Sequence, residues 1–143
     1  MLRRTCCALA LFALVSVIAG CGFGGSVVKD LTGDRDLSLF KLQGVRGVRD
    51  GDRLDAQAVI SDSSSVLSVD MHFAIGSPTK LTSGSWHWTR SGLSMETGQM
   101  SERSVTFLGG QDGPPSIGGS FDLLSPEGTA VYRLTLPVTE LKR

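Results

Sequence analysis

The chain has 143 residues and a mass of 15.1 kDa, which is room for one domain and excludes a multidomain enzyme. Fourteen Lys and Arg balance fourteen Asp and Glu, so the formal net charge is zero and the composition argues against a nucleic-acid partner. A hydrophobic share of 41% with 20% charged residues is typical of a folded chain, and 18 glycines indicate many turns.

The first twenty residues have the organisation of a secretion signal. Arg3 and Arg4 form a basic start, and an uncharged, mostly apolar run then extends from Thr5 to Gly20. This run is shorter than the roughly twenty residues that a transmembrane helix needs, and it ends in small residues. The pattern therefore predicts a cleaved export signal rather than a permanent membrane span.

The end of this run, Ile18-Ala19-Gly20-Cys21, resembles the lipobox of bacterial lipoproteins. The resemblance implies that residues 1–20 are a lipoprotein signal peptide, that cleavage occurs before Cys21, and that the Cys21 thiol carries a diacylglycerol. Ordinary secretion, with Cys21 as an incidental thiol, is the alternative. Gly22, where an Asp would imply retention at the inner membrane, implies passage to the outer membrane of a diderm host, facing the periplasm.

The cysteine count fits this interpretation. Cys6 and Cys7 lie in the predicted signal peptide and Cys21 would be acylated, so the mature chain would have no thiol for a disulfide, a metal site or a nucleophile. Loss of Arg3 and Arg4 with the signal peptide would change the formal charge from zero to minus two. The acyl chains alone would hold the protein on a bilayer.

The remaining sequence predicts a lipidated, flexible tether over 21–33 and a single all-β domain over 34–143. Alternation is clearest from Val66 to Ile75, where every second residue from Leu67 is apolar. The other expected strands are 36–45, 54–60, 80–89, 103–108, 117–124 and 129–138.

Turn residues separate these strands, and no apolar pattern of helical period follows Cys21. Short, regularly spaced strands with short links predict an antiparallel β-sandwich of about seven or eight strands, with sequence neighbours paired in space. A small up-and-down β-barrel is the alternative.

Two histidines are the first candidates for a site. If 66–75 and 80–89 form a hairpin that keeps their apolar residues on one face, Val69 pairs with Trp86 and Ser68 pairs with His87. His72 and His87 then lie on the outer face, about 13 Å apart along the strands, which is too far to share a metal. With only Asp70 near His87, a zinc site would lack ligands.

The remaining residue patterns support no catalytic or cofactor site. Acidic clusters at 34–36 and 50–55 do not follow the calcium-loop pattern, and interleaved arginines oppose a divalent cation. Neither a Gly-x-Ser-x-Gly elbow nor a phosphate-binding glycine loop occurs. We therefore expect no cofactor, no metal and no enzyme activity.

The large aromatic residues allow two interpretations. They either fill the core or line a ligand cavity inside a barrel, and core packing is the default for a domain without disulfides. This set comprises Phe73, Trp86, Trp88, Phe107, Phe121 and Tyr132.

Together these patterns predict a lipid-anchored domain of the bacterial cell envelope that acts by binding or scaffolding. Its expected partners are the membrane, through Cys21, and an envelope protein. A carrier of a small apolar ligand is the alternative, and an envelope hydrolase is a third hypothesis.

Overall fold

A computed structural model describes residues 27–33, 35–109 and 114–143. This part of the chain forms strands and turns without a helix, as the period-two alternation predicts. The strands are β1 Val28–Asp30, β2 Lys41–Asp50, β3 Arg53–Ser61, β4 Ser65–Ala74, β5 Lys80–Arg90, β6 Leu93–Leu108, β7 Ser116–Leu124 and β8 Ala130–Glu140.

The eight strands of the described residues form one antiparallel sheet in the order β1-β8-β7-β6-β5-β4-β3-β2. Each strand from β2 to β8 pairs with its neighbour in sequence because the connections are short. Between β5 and β6, Ser91 and Gly92 both have positive φ (51° and 78°), which is the geometry of a tight hairpin turn. The prediction of an antiparallel all-β fold is confirmed.

Strand β6 curls the sheet into a half-barrel. Its first half pairs with β5 as far as Gln99, and its second half pairs with β7 from Met100 onward. The register shifts between Glu102 and Ser104, as in a β-bulge, which bends a strand. The two halves of the sheet face each other across one core, and the sequential strand order is that of an up-and-down barrel.

The chain after β8 closes the sheet on one side. Gly47 donates a hydrogen bond from its amide to the Lys142 carbonyl (2.9 Å), and the Lys142 amide donates to the Val45 carbonyl (3.0 Å). Seven antiparallel strands from β2 to β8 alternate in direction, so β2 and β8 run the same way. Arg46 on β2 and Lys142, just after β8, therefore form a parallel bridge. We call this the seam end; connections 51–52 and 75–79 lie there. The opposite, or cap, end carries 35–40, 62–64, 91–92 and 125–129.

Aromatic rings from both halves of the sheet meet in the core. Phe73 on β4 packs edge to face on Phe121 of β7, with ring centroids 6.1 Å apart. Trp86 on β5 packs in the same way on Tyr132 of β8 at 5.5 Å. Offset and edge-to-face pairs of this kind add about 0.5–1.5 kcal/mol beyond area burial. The predicted aromatic core is therefore filled by ring contacts between β4 and β5 on one side and β7 and β8 on the other.

Three strands differ from the sequence prediction by more than two residues. Val28–Asp30, expected in the flexible tether, form β1 on the edge of β8, and Val28 is buried. Strand β2 spans Lys41–Asp50 instead of 36–45, because the residues before Lys41 turn inward across the cap end. Strand β6 begins ten residues before the expected 103, since only Leu93, Met95 and Met100 of its first eight residues are large and apolar, and the bulge at Met95 interrupts their alternation.

Candidate functional site

The segment Arg35–Phe40 covers the core at the cap end. Leu37 and Phe40 are buried, and the Phe40 ring stands edge-on to Trp88 at 5.2 Å. The Asp30 carboxylate shapes the chain ahead of this segment, because it accepts hydrogen bonds from the Thr32 amide (2.8 Å) and the Arg35 amide (2.7 Å). The cap therefore has a defined conformation.

A polar network lies beneath this cap. The buried Tyr132 hydroxyl donates to the Glu96 carboxylate at 2.6 Å, and the Arg35 guanidinium is 3.6 Å from the same carboxylate. Arg35 also lies over the Trp88 ring, 4.9 Å from its centroid, in cation–π geometry. Burial, followed by the Glu96 hydrogen bond and charge, raises the pKa of Tyr132 well above its usual range. The tyrosine is therefore a permanent hydrogen-bond donor at neutral pH.

Trp86 is held in one orientation next to this network. Its indole Nε1 donates to the Leu124 carbonyl at 2.9 Å, across the core from β5 to the end of β7. Gly98 on β6 makes room for this contact, because a Cβ there would lie 1.8 Å from that carbonyl oxygen and 2.7 Å from Nε1. A glycine is thus required here by close approach of the chains.

Two clefts open at the cap end, with Met95 on the border between them. The first, about 360 Å³, has charged side chains on its walls, including Arg35 and Arg90, above Trp88. The second, about 300 Å³, has a mainly apolar lining that includes Trp86, Pro126 and Val131. We call them the charged cleft and the apolar cleft.

Met95 reaches this position through an irregularity in the sheet. Trp88 pairs with Glu96 and Thr89 pairs with Ser94, so Met95 is the extra residue of a β-bulge. Its side chain is 46% exposed, and Leu93 and Leu39 nearby are 71% and 73% exposed. The cap end therefore combines two clefts with exposed apolar side chains, which suits the binding of a partner with an apolar surface.

A third cleft, of about 410 Å³, lies toward the seam end on the outer face of the sheet. His72 on β4 lies in register between Asp55 on β3 and Ser83 on β5, and its Nδ1 is 2.6 Å from the Asp55 carboxylate. This hydrogen bond lowers the pKa of Asp55. Both side chains are about half exposed, so water solvates the pair. We read it as a cross-strand contact that stabilises the sheet.

The predicted histidine positions are confirmed. Ser68 pairs with His87 and Val69 with Trp86, and both histidines lie exposed on the outer face. His87 contacts the Ser94 hydroxyl at 2.8 Å. Within the described ranges, no cluster of three or more His, Cys, Asp or Glu side chains has the arrangement of a metal site.

The most connected residues of the cap end escaped the sequence analysis. In the sequence, Arg35 indicates only a charge that opposes calcium binding, whereas in the structure it covers Trp88 and approaches Glu96. Glu96 lay in a stretch that was assigned to no strand. In the sequence, Met95 and Glu96 follow the Ser91-Gly92 turn closely, which could have indicated a strand there. The contact of Glu96 with Tyr132, 36 residues away, arises only in the folded sheet.

The predicted lipidation site, Cys21, lies outside the described residues, as does the signal segment 1–20. Among the residues that the structure covers, none belongs to a helix long and apolar enough to cross a bilayer. In comparisons with known proteins, the chain matches no family model, no curated protein and no solved structure.

Proposed function

We propose that this protein is a bacterial lipoprotein, anchored through acylated Cys21 to a membrane of the cell envelope, whose β-domain binds an envelope partner at the cap end. The anchor is supported by the basic start, the uncharged run and Ile18-Ala19-Gly20-Cys21. In a diderm host, Gly22 favours the outer membrane and a periplasmic domain. The proposed activity is binding and involves no catalytic step and no cofactor.

One observation carries the binding proposal: exposed Met95 separates the charged cleft from the apolar cleft at the cap end. Leu39 and Leu93, in the cap segment and at the start of β6, are also exposed at this end. Interface cores are rich in Met and aromatic side chains, and Trp86 and Trp88 each border one of the clefts. The partner that suits this end is a protein segment with an apolar side chain for the apolar cleft.

The direction of β1 also suits a domain whose cap end, with its two clefts, faces away from a membrane. β1 runs antiparallel to β8, so the chain enters the domain on the side of Thr135 and reaches the cap end at Asp30, opposite Tyr132. Leu141, at the seam end, is nine positions after Tyr132, and nine residues of extended chain span about 30 Å. The chain before Val27 therefore leads away from the cap end, which supports an anchor that leaves the clefts accessible.

Photo-crosslinking in the native host tests this proposal. A photoreactive amino acid at Met95 is expected to give one discrete crosslinked species, and Asp70, exposed on the outer face of β4, is the matched control. The Met95 product should disappear when Leu93 is changed to Asp, because a charge would then enter the apolar surface. Equal crosslinking from both positions would contradict binding at the cap end.

A second candidate, a carrier for a small apolar ligand, is favoured by the apolar cleft itself. Its volume of about 300 Å³ is at the lower limit for small-molecule sites. Native mass spectrometry of the protein released from membranes would show a stoichiometric small molecule, which Val131→Trp should displace. A protein that carries no small molecule would leave the protein-binding proposal as the better one.

A further inference from the structure

Two cations lie side by side at the seam end. The bridge between Arg46 on β2 and Lys142 places both side chains on the same face, and both are exposed. Backbone hydrogen bonds on each side of Arg46, to Val45 and Gly47, fix this juxtaposition. Like charges on adjacent strands repel each other and lower the stability of a sheet. Arg143 adds a third cation at the next position.

Nearby carboxylates do not neutralise these cations. Glu140 is two residues before Lys142, and Asp55 is opposite Val48 on β3. Asp55 is hydrogen-bonded to His72 instead. Among the described residues, the ion pairs within 4.0 Å involve neither Arg46 nor Lys142. The pair is therefore available for an external anion.

An exposed apolar side chain lies beside the pair. Val48, two residues after Arg46 on the same face of β2, is 66% exposed. We call Arg46, Val48, Lys142 and Arg143 the seam patch. Basic and apolar side chains together suit the interface of a bilayer with anionic lipid, where each Lys or Arg near the surface strengthens binding.

The length of chain between the proposed anchor and β1 brings this patch within reach of the lipid. The Val27 carbonyl is fixed to β8, because it accepts a hydrogen bond from the Thr135 amide at 2.8 Å. Val27 is six positions after Cys21, and six steps along the chain span at most about 20 Å. Thr135 to Leu141 is also six residues, or about 20 Å of strand. An acylated Cys21 therefore cannot hold the domain far from the bilayer.

We propose that the seam patch lies on the bilayer and binds anionic phospholipid headgroups, so that the cap end faces away from the membrane. This inference rests on the proposed lipid anchor at Cys21. It adds an orientation that the anchor alone does not impose, since one acylated residue permits rotation of the domain about its tether.

Site-directed labelling of the full lipoprotein tests the inference. The chain has three cysteines, and none would remain as a free thiol in the acylated mature form. A fluorophore on Val48→Cys would report the seam patch, and one on Leu93→Cys, similarly exposed at 71%, would report the cap end. Each purified protein is reconstituted into vesicles of phosphatidylethanolamine and phosphatidylglycerol that contain nitroxide-labelled lipid.

We expect severalfold stronger nitroxide quenching of the label at residue 48 than of the label at residue 93. Replacing Arg46 and Lys142 by Gln should lower the docked population about tenfold or more. The matched control, Lys29→Gln with Lys41→Gln, removes two exposed cations outside the seam patch and should leave the quenching unchanged. Vesicles of phosphatidylcholine alone should also abolish the difference between the labels.

The outcomes separate this inference from the proposed anchor. Mass spectrometry of each reconstituted protein first establishes whether Cys21 is acylated. An acylated protein with equal quenching at both labels would overturn the orientation and leave the anchor intact. Quenching of equal strength in phosphatidylcholine would overturn the recognition of anionic headgroups. A chain without acyl groups on Cys21 would overturn both proposals.

Discussion

The Tyr132 hydroxyl donates a hydrogen bond of 2.6 Å to the Glu96 carboxylate, joining β8 to β6 across the cap end of the half-barrel. Arg35 approaches the same carboxylate and covers Trp88. One carboxylate thus connects the last strand, the central strand and the cap segment. Glu96 lines the apolar cleft and Arg35 lines the charged cleft, so the network that stabilises the cap also shapes the proposed binding surface.

Tyr132→Phe should destabilise the domain by about 1.5–3 kcal/mol, because it removes a hydrogen bond to a charged group and leaves Glu96 partly desolvated. Denaturant unfolding followed by tryptophan fluorescence measures this change, since Trp86 and Trp88 both contact the Tyr132 ring. Glu96→Gln keeps an acceptor and should cost less than Tyr132→Phe. Equal stability of Tyr132→Phe and the parent would show that the bond adds nothing.

The Tyr132 ionisation can be followed without interference, because the chain has one tyrosine. Burial raises its pKa in the folded state, whereas the unfolded chain ionises near pH 10. Only the unfolded state then loses this proton as pH rises, so stability should fall above about pH 10. Ultraviolet titration should show tyrosinate appearing together with unfolding, and tyrosinate in a still-folded protein would contradict the assignment.

Gly98→Ala should be among the most damaging single substitutions in the described chain. The added methyl would meet the Leu124 carbonyl and the Trp86 indole, so the strands must separate or the indole bond must break, at a cost of about 3 kcal/mol or more. Gly44→Ala is the matched control, since it also lies in a strand and a Cβ there meets nothing within 4 Å. Thermal unfolding compares them, and similar losses for both would contradict the close approach.

His72→Ala should return the pKa of Asp55 toward its ordinary value, because the hydrogen bond from His72 is the largest cause of its lowering. A lowered carboxyl pKa stabilises the folded state above the unfolded pKa near 4, and the effect is lost as pH falls through the folded pKa. The stability difference between parent and variant should therefore shrink in acid. NMR titration of the Asp55 carboxyl measures the shift directly.

His87→Ala is the control for that titration, because His87 contacts Ser94 and leaves Asp55 untouched. It should leave the Asp55 titration at the parental position. An Asp55 pKa that is the same in parent and His72→Ala would refute the assigned cause.

Much of the fold could be predicted from local patterns, whereas the cap network could not. Alternation in β4 predicts its buried face, and the need to place Trp86 on that face restricts the hairpin to registers such as the observed one, in which Ser68 pairs with His87. The first half of β6 was missed because few of its residues are apolar, so its pairing depends on β5. β1 has only three residues and depends on β8 in the same way.

The candidate site was harder to predict because its contacts join distant parts of the sequence. Arg35, Glu96 and Tyr132 belong to three separate segments, and no spacing rule relates them. The aromatic residues could be assigned to the core from their size. That Trp86 and Trp88 also border surface clefts depends on the bulge between β5 and β6, which places Met95 between the two clefts.

The most direct test of the central claim is intact-mass analysis of Cys21→Ser beside the parent chain, both expressed in a bacterial host and fractionated into membrane and soluble pools. If Cys21 is the lipidated residue, the parent chain should begin at residue 21, carry diacylglycerol and stay with the membrane, and the variant should retain residues 1–20 without acylation. A variant that is cleaved normally and recovered in the soluble pool would contradict the lipoprotein assignment.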